Sequence, residues 1–241
     1  TTANQNTAIG SSVMYSNTTG TNNVALGTSA LNANTTGSNN VSNGAGAMYK
    51  NTNGNNNVAV GFESLHENTG GGENLALGRK ALYSNTTGNQ NTILGSLAAQ
   101  SLTIGNNNIV IGYNSTSSSA SANNEVTLGN NSNNVYRMYA SSWTNASDAK
   151  LKHDIHNIAI GLDFVKKLRP VQYVYNNARK EEKSFGFIAQ EVQELIKQSG
   201  VTNAGLVTPI DNENLGLKTV DLIAVLTKAI QEQQKQIEKQ E

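Results

Sequence analysis

A fixed 17-residue period is the feature of this sequence that most constrains its fold. Glycines recur at that interval, without an insertion, from residue 10 to residue 129. A second glycine series runs in step ten residues later, and an asparagine stands four residues before each glycine of the first series until Glu125 replaces it. Such regularity specifies an architecture of stacked repeats. The first series is Gly10, Gly27, Gly44, Gly61, Gly78, Gly95, Gly112 and Gly129, and the asparagines are Asn6, Asn23, Asn40, Asn57, Asn74, Asn91 and Asn108.

Each repeat predicts a short strand, a bend, a second short segment and a turn. Apolar residues alternate, as at Val24 and Leu26, which is typical of a strand with one buried face. The turn often reads NTTG, as at 17–20, and its glycine is expected at positive φ. Between strand and turn stands a further apolar position, occupied by Met14, Leu31, Met48, Leu65 and Leu82.

Stacking these repeats would align the asparagines into ladders. At about 4.8 Å per layer, their amides can form hydrogen bonds from one layer to the next. About three sizeable apolar side chains per repeat make a thin core for one chain, and a core shared among three chains relieves that shortage. The sequence therefore predicts a mainly β repeat fibre over residues 1–140, as a trimeric β-roll or β-helix.

Composition argues against several partners and cofactors. The net charge is zero, so no basic field favours nucleic acid. Apolar runs such as 222–226 are far shorter than the roughly 20 residues that span a bilayer, so no membrane insertion is expected. Residues 1–140 contain no aspartate, which argues against calcium-binding coils. Cysteine is absent, and no cofactor is predicted.

Near Trp143 the composition changes, and residues 141–241 hold thirteen of the seventeen residues of each charge sign. This half predicts a small α/β domain. Its expected elements are a helix over 157–168, strands over 171–175 and 184–189, a helix over 190–198, a hairpin over 206–219 and a final helix over 219–240.

The final helix carries a short heptad pattern. Ile223, Ile230 and Ile237 are seven residues apart, and Leu226 begins a companion series that continues with glutamines. Isoleucine at such positions is compatible with a trimeric coiled coil. An amphipathic helix packed on its own domain is the alternative.

Four ordered motifs stand in this half: Ser-Asp-x-x-Leu-Lys at 147–152, Leu-Arg-Pro at 168–170, Gly-Phe-Ile-Ala-Gln-Glu-Val at 186–192 and Leu-Ile-Ala-Val-Leu at 222–226. Together they resemble the peptidase S74 family, the intramolecular chaperone domain at the C-terminus of phage endosialidases and tail fibres. The upstream repeats resemble the heads of trimeric bacterial adhesins and the shafts of phage-type fibres. The family resemblance implies that three chains trimerise, fold in register and then cut the bond before the motif serine.

The resemblance implies a Ser147–Lys152 dyad that cuts the Ala146–Ser147 bond. A serine can attack the preceding carbonyl through a five-membered ring if a base removes its proton, and Lys152 would be that base. Free lysine has a pKa of about 10.4, so the base must be desolvated or placed near other cations. Asp148 matches the motif without a firm role, and Gln190 and Glu191 are motif residues with either a packing or a catalytic role.

His153 and His156 offer a histidine base or a metal site instead. Their i, i+3 spacing brings no third ligand nearby, so surface or packing roles are preferred and no metal is predicted.

The sequence is compatible with three functions. The preferred one is a trimeric virion tail fibre or bacterial surface fibre, with an unknown receptor or glycan, whose chaperone releases itself in a single turnover. An uncleaved adhesin or receptor-binding tip that keeps the C-terminal domain as a cap is the alternative. An ice-binding face of threonine pairs is a third, interrupted at Asn53 and Gly70.

Overall fold

The computed structural model describes residues 3–130, 132, 147–176, 183–202, 204–210 and 214–240. The chain divides into two compact units, Thr1–Asn133 and Asn134–Glu241. The predicted domain boundary at residue 140 lies outside the described residues, as do Trp143 and Ala146, so that boundary stays a prediction.

The first unit is a parallel β-solenoid in which each repeat contributes one strand. Consecutive strands pair in parallel with residues 17 apart opposite each other, so Val24 is opposite Val41. The predicted repeat fold is confirmed. The eight strands are β1 (Thr7–Ile9), β2 (Val24–Leu26), β3 (Val41–Asn43), β4 (Val58–Val60), β5 (Leu75–Leu77), β6 (Thr92–Leu94), β7 (Ile109–Ile111) and β8 (Val126–Leu128).

The six inner strands, β2 to β7, turn their middle residue inward and their two end residues outward. That middle residue is buried in all six and is small in four of them, such as Ala25 and Ala59, while Val24 and Leu94 on the outside are 45% and 46% exposed. The prediction that the alternating valines and leucines form a buried face is therefore wrong within one chain, because the narrow interior accepts the small residue instead. The outward residues form two apolar columns, 7, 24, 41, 58, 75, 92, 109 and 126, and 9, 26, 43, 60, 77, 94, 111 and 128.

The apolar position after each strand fills the solenoid interior, as predicted. Met14 is 9% exposed, and Leu31, Met48, Leu65 and Leu82 are fully buried. All five have positive φ, between 46° and 53°, a conformation that costs an L-residue roughly 1–2 kcal/mol. Burial of a large apolar side chain is worth about the same or more, so packing offsets the backbone strain.

The predicted asparagine ladder is confirmed, and a second ladder runs beside it. In the first, Asn57 Nδ2 donates to Asn40 Oδ1 at 3.2 Å and to the Gly71 carbonyl at 2.9 Å, and its Oδ1 accepts from the Asn74 amide at 3.0 Å. The second ladder uses the asparagine that opens each turn: Asn17, Asn34, Asn51, Asn68 and Asn85.

The two ladders meet on the carbonyl of the turn glycine. Gly54 O accepts from Asn40 Nδ2 at 2.9 Å and from Asn51 Nδ2 at 3.1 Å. The second glycine series is not at positive φ, so that prediction is wrong. Glycine is needed there for space, because a Cβ on Gly37 would lie 2.4 Å from Asn34 Oδ1 and 2.5 Å from Gly54 O. Positive φ belongs to the first glycine series.

The second unit combines two small antiparallel sheets with helices. The elements are α1 (Leu162–Val165), β9 (Val171–Tyr173), β10 (Ser184–Gly186), α2 (Ala189–Gln198), β11 (Val207–Pro209), β12 (Leu215–Leu217) and α3 (Leu222–Ile237). Strand β9 pairs with β10, and β11 pairs with β12, as the two predicted hairpins require. Helix α2 agrees with the prediction for 190–198, and a 3-10 turn at Thr219–Asp221 leads into helix α3.

The prediction of a helix over 157–168 is wrong outside residues 162–165. Only Leu162–Val165 is helical, and Gly161 precedes it. The backbone groups of 158–162 instead bind side chains of α3, at Lys228 and Glu232. These contacts replace the hydrogen bonds that a longer helix would make. The local sequence pattern does not predict them.

A small apolar core holds the second unit together. Phe164 of α1, Val192 of α2 and Val225 of α3 are buried in one cluster with Leu206 and Leu222. Within the described ranges, no helix has the length and apolarity that crossing a bilayer requires.

The first test concerns the ladder. Replacing Asn57 with aspartate removes the Nδ2 donor and places a carboxylate where two acceptors, Asn40 Oδ1 and Gly71 O, need a hydrogen. We expect Asn57→Asp to lower the free energy of unfolding by at least about 2 kcal/mol, measured by chemical denaturation.

The neighbouring Asn56 is a matched control. It is exposed and has a φ of 58°, which aspartate tolerates. Asn56→Asp should unfold like the wild type, and equal losses in the two variants would contradict the ladder's role.

Candidate functional site

Asp148 shapes the backbone at the start of the second unit. Its Oδ1 accepts a hydrogen bond from the Lys150 amide at 2.9 Å and so caps a 3-10 turn over Ala149–Leu151. The Leu151 amide donates to Asp148 O at 3.0 Å, and the Lys152 amide donates to Ala149 O at 3.1 Å. The turn bends the chain back, so that residue 152 returns toward residue 147.

The turn brings the two predicted dyad residues into contact. Lys152 Nζ donates to Ser147 Oγ at 2.7 Å, which is within the range for direct proton transfer. Both side chains are exposed in the single chain. Ala146, the other side of the predicted cleavage bond, lies outside the described residues. The catalytic roles of Ser147 and Lys152 stay predictions.

The histidines take no part in this contact. His156 Nδ1 lies 3.5 Å from Asp154 Oδ1, and both side chains are largely exposed. Among the residues that the structure describes, no three His, Cys, Asp or Glu side chains are grouped in a way that would hold a metal ion. His153 is likewise exposed.

Glu191 joins two of the sequence motifs. Its carboxylate accepts from both Arg169 Nε, at 3.1 Å, and Arg169 Nη2, so the ion pair is bidentate. These hydrogen bonds and the guanidinium charge hold the pKa of Glu191 below its ordinary value of 4.5 and raise the pKa of Arg169. The pair ties the chain before β9 to the first turn of α2.

Sequence reasoning did not identify the Arg169–Glu191 pair, although each residue stands in a quoted motif. A bidentate arginine is a common partner of a carboxylate, and that preference was the available signal. Gln190 is exposed and lines a shallow pocket with Leu168 and Phe187. Within the described residues, no hydrogen bond joins Gln190 or Glu191 to the Ser147–Lys152 contact.

Helix α3 has two different apolar faces. Leu222, Val225 and Ala229 are buried within the unit, whereas Ile223 and Ile230 are 62% and 66% exposed. The alternative prediction, a helix packed on its own domain, describes the first face. The heptad prediction describes the second face, which the single chain leaves open.

Residues 147–201 match the family model Peptidase_S74, whose description is chaperone of endosialidase. The matched segment contains the dyad residues, Arg169, Gln190 and Glu191. It ends before α3 and begins after the solenoid. No curated protein and no solved structure is significantly similar to the chain.

The second test uses the pH dependence of the Arg169–Glu191 pair. Because the folded-state pKa of Glu191 is depressed, its stabilisation is present above the ordinary value of 4.5 and is lost as the pH falls through the folded-state pKa. Glu191→Gln should therefore melt a few degrees below the wild type at pH 7, and the difference between the two melting temperatures should vanish as the pH falls through the folded-state pKa of Glu191.

Glu194→Gln is the control on the same helix, since the contacts of Glu194, with Lys197 at 4.0 Å and with Gln198 Nε2 at 3.3 Å, are long and exposed. A Glu191→Gln deficit in melting temperature that stays unchanged as the pH falls well below 4.5 would show that the ion pair is not its cause.

Proposed function

We propose that this chain is the C-terminal segment of a trimeric surface or tail fibre, and that its second unit is a chaperone that aligns three chains and then cuts itself free. One observation carries the proposal. Within the segment that matches the endosialidase chaperone family, Lys152 Nζ lies 2.7 Å from Ser147 Oγ. We also propose that the division between fibre and chaperone lies at residue 140.

The cut is an acyl shift followed by hydrolysis. Ser147 Oγ attacks the Ala146 carbonyl carbon while neutral Lys152 takes the hydroxyl proton. The C–N bond breaks, its nitrogen gains a proton as the new amine of Ser147, and an ester joins Ala146 to Oγ. Water then hydrolyses the ester, which leaves a carboxylate on Ala146 and restores the hydroxyl. Each chain cuts once.

Exposure of the dyad suggests when the cut occurs. A lysine works as a base only after desolvation or nearby cations favour its neutral form. In the single chain, the side chains of Lys152 and Ser147 are exposed to solvent. Packing of other copies against this segment would remove that water, so cleavage would follow assembly.

Two open apolar surfaces support assembly with further copies. The solenoid carries the two apolar columns, in which only Thr7, Asn43 and Thr92 depart from valine, leucine and isoleucine. A continuous exposed apolar surface of this kind marks an interaction site. A second copy has the same layer spacing, so its columns match over every layer.

The exposed face of α3 supplies the second surface. Ile223, Ile230 and Ile237 follow one another at heptad spacing along it, and this spacing suits a seam between helices of three chains. The remainder of the proposal follows the family description: a virion tail fibre or bacterial surface fibre that contacts a receptor or glycan. An uncleaved tip, with the second unit kept as a cap, is the competing function.

The third test measures cleavage. The purified wild type should give two fragments on a denaturing gel, with Ser147 as the N-terminal residue of the smaller one. Ser147→Ala should abolish the cut, because no hydroxyl remains, and Lys152→Met should reduce it at least 100-fold, because no base remains.

Lys150→Met is the matched control for the loss of one positive charge, and it should be cut. An intact wild type would favour the cap. Two fragments from Ser147→Ala would refute the dyad.

The fourth test measures assembly. Ile230→Asn places an amide in the exposed seam and should shift the sedimentation mass from three chains toward one. Gln236→Asn, at an exposed polar position of the same helix, is the control and should remain trimeric. A trimer of unchanged stability in Ile230→Asn would exclude this face as the seam.

A further inference from the structure

Helix α3 binds the segment that follows the dyad through two charged side chains one turn apart. Lys228 Nζ donates to the carbonyls of Ile158 and, at 3.3 Å, Ala159. Glu232 Oε2 accepts from the Leu162 amide at 2.7 Å. Lys228 and Glu232 also pair with each other at 3.4 Å. We call these contacts the 228–232 anchor.

The anchor is fitted to its site. A Cβ on Gly161 would lie 2.3 Å from Glu232 Oε2, so the carboxylate can approach the backbone only over a glycine. The Leu162 hydrogen bond first, and then the Lys228 charge, hold the pKa of Glu232 below its ordinary value. The carboxylate thus stays ionised and caps α1, while Lys228 satisfies two carbonyls.

The anchor lies where the segment after the dyad first becomes buried. Residues 151–159 are all exposed, and Ile160 and Gly161 are the first buried residues that follow. The position of Ser147 and Lys152 relative to α3 therefore depends on how firmly 158–162 is held. The anchored face of α3 is distinct from the exposed isoleucine face.

We propose that Lys228 and Glu232 are positioning residues for the cleavage, which couple the dyad segment to the helix that joins the three chains. This inference rests on the proposed function. When the isoleucine faces of α3 pack against each other in the trimer, the anchor keeps residues 158–162 attached to the helix. The dyad is thereby placed against the neighbouring chains, which remove water from it. Without the anchor, the trimer forms but the dyad is not held against the neighbouring chains.

The anchor differs from an ordinary surface ion pair in a testable way. An exposed i, i+4 pair contributes little to stability and survives exchange of its two charges. The anchor does not survive that exchange, because a glutamate at 228 cannot donate to carbonyls and a lysine at 232 cannot accept from the Leu162 amide.

The fifth test compares cleavage rates of full chains with their trimer mass and melting temperature. Lys228→Met and Glu232→Ala should cut roughly 10- to 100-fold more slowly than the wild type while remaining trimeric. The conservative changes Lys228→Arg and Glu232→Gln, which keep a donor and an acceptor, should restore most of the rate. The exchange of both charges, Lys228→Glu with Glu232→Lys, should stay slow.

Lys239→Met is the control for the loss of one lysine charge, since Lys239 is exposed just after α3. Gly161→Ala approaches the anchor from the opposite side and should also slow the cut, so the test does not depend on variants of α3 alone. Wild-type cleavage in folded, trimeric Lys228→Met and Glu232→Ala would overturn the anchor and leave the proposed function standing, and so would rescue by charge exchange. An intact wild type would instead overturn the proposed function.

Discussion

The solenoid depends on one interaction, the convergence of two asparagine side chains on the carbonyl of each turn glycine. In most layers, one amide from each ladder donates to that carbonyl and to the layer beneath. A buried amide is costly unless its donors and acceptor are all satisfied, so insertion of a single residue would leave several of them unpaired. The second ladder ends at Leu102, which occupies the position of the next asparagine. Asn85 Oδ1 is therefore buried without a hydrogen-bond partner among the described residues.

A core built from amides leaves little room for apolar volume. The strand interior accepts alanine at Ala25, Ala59 and Ala76, and the larger side chains of the same strands point outward. The single chain is therefore stable in its backbone hydrogen bonds but exposes much of its apolar surface. The same imbalance occurs on α3, which buries Val225 and exposes Ile230. In both units, the apolar side chains that stay exposed are thus regularly spaced, every 17 residues along the solenoid and every seven residues along α3.

Features set by neighbouring layers or local spacing were predictable from the sequence. The ladder, the buried leucines and helix α2 each follow from a period that the sequence displays. The direction of the strand side chains was not predictable, because alternation alone does not say which alternate set faces inward. The start of α1 depends on Glu232, 70 residues away along the chain. The family resemblance identified Ser147 and Lys152, and the Asp148 cap supplies the local reason that their spacing brings them together.

If Ser147 and Lys152 form the proposed dyad through a local turn, a contact with a more distant part of the assembly must control when they cut. The turn at 149–151 brings Lys152 to Ser147 within a few residues, before any other part of the chain is required. If contact alone were sufficient for cleavage, the chaperone would leave before three chains had aligned. In the proposed mechanism, exposure of the dyad provides the delay, because a lysine acts as a base only where desolvation or nearby cations favour its neutral form. In that mechanism, cutting waits for the burial that assembly would bring, and the 228–232 anchor would link that burial to α3, the helix proposed to join the three chains.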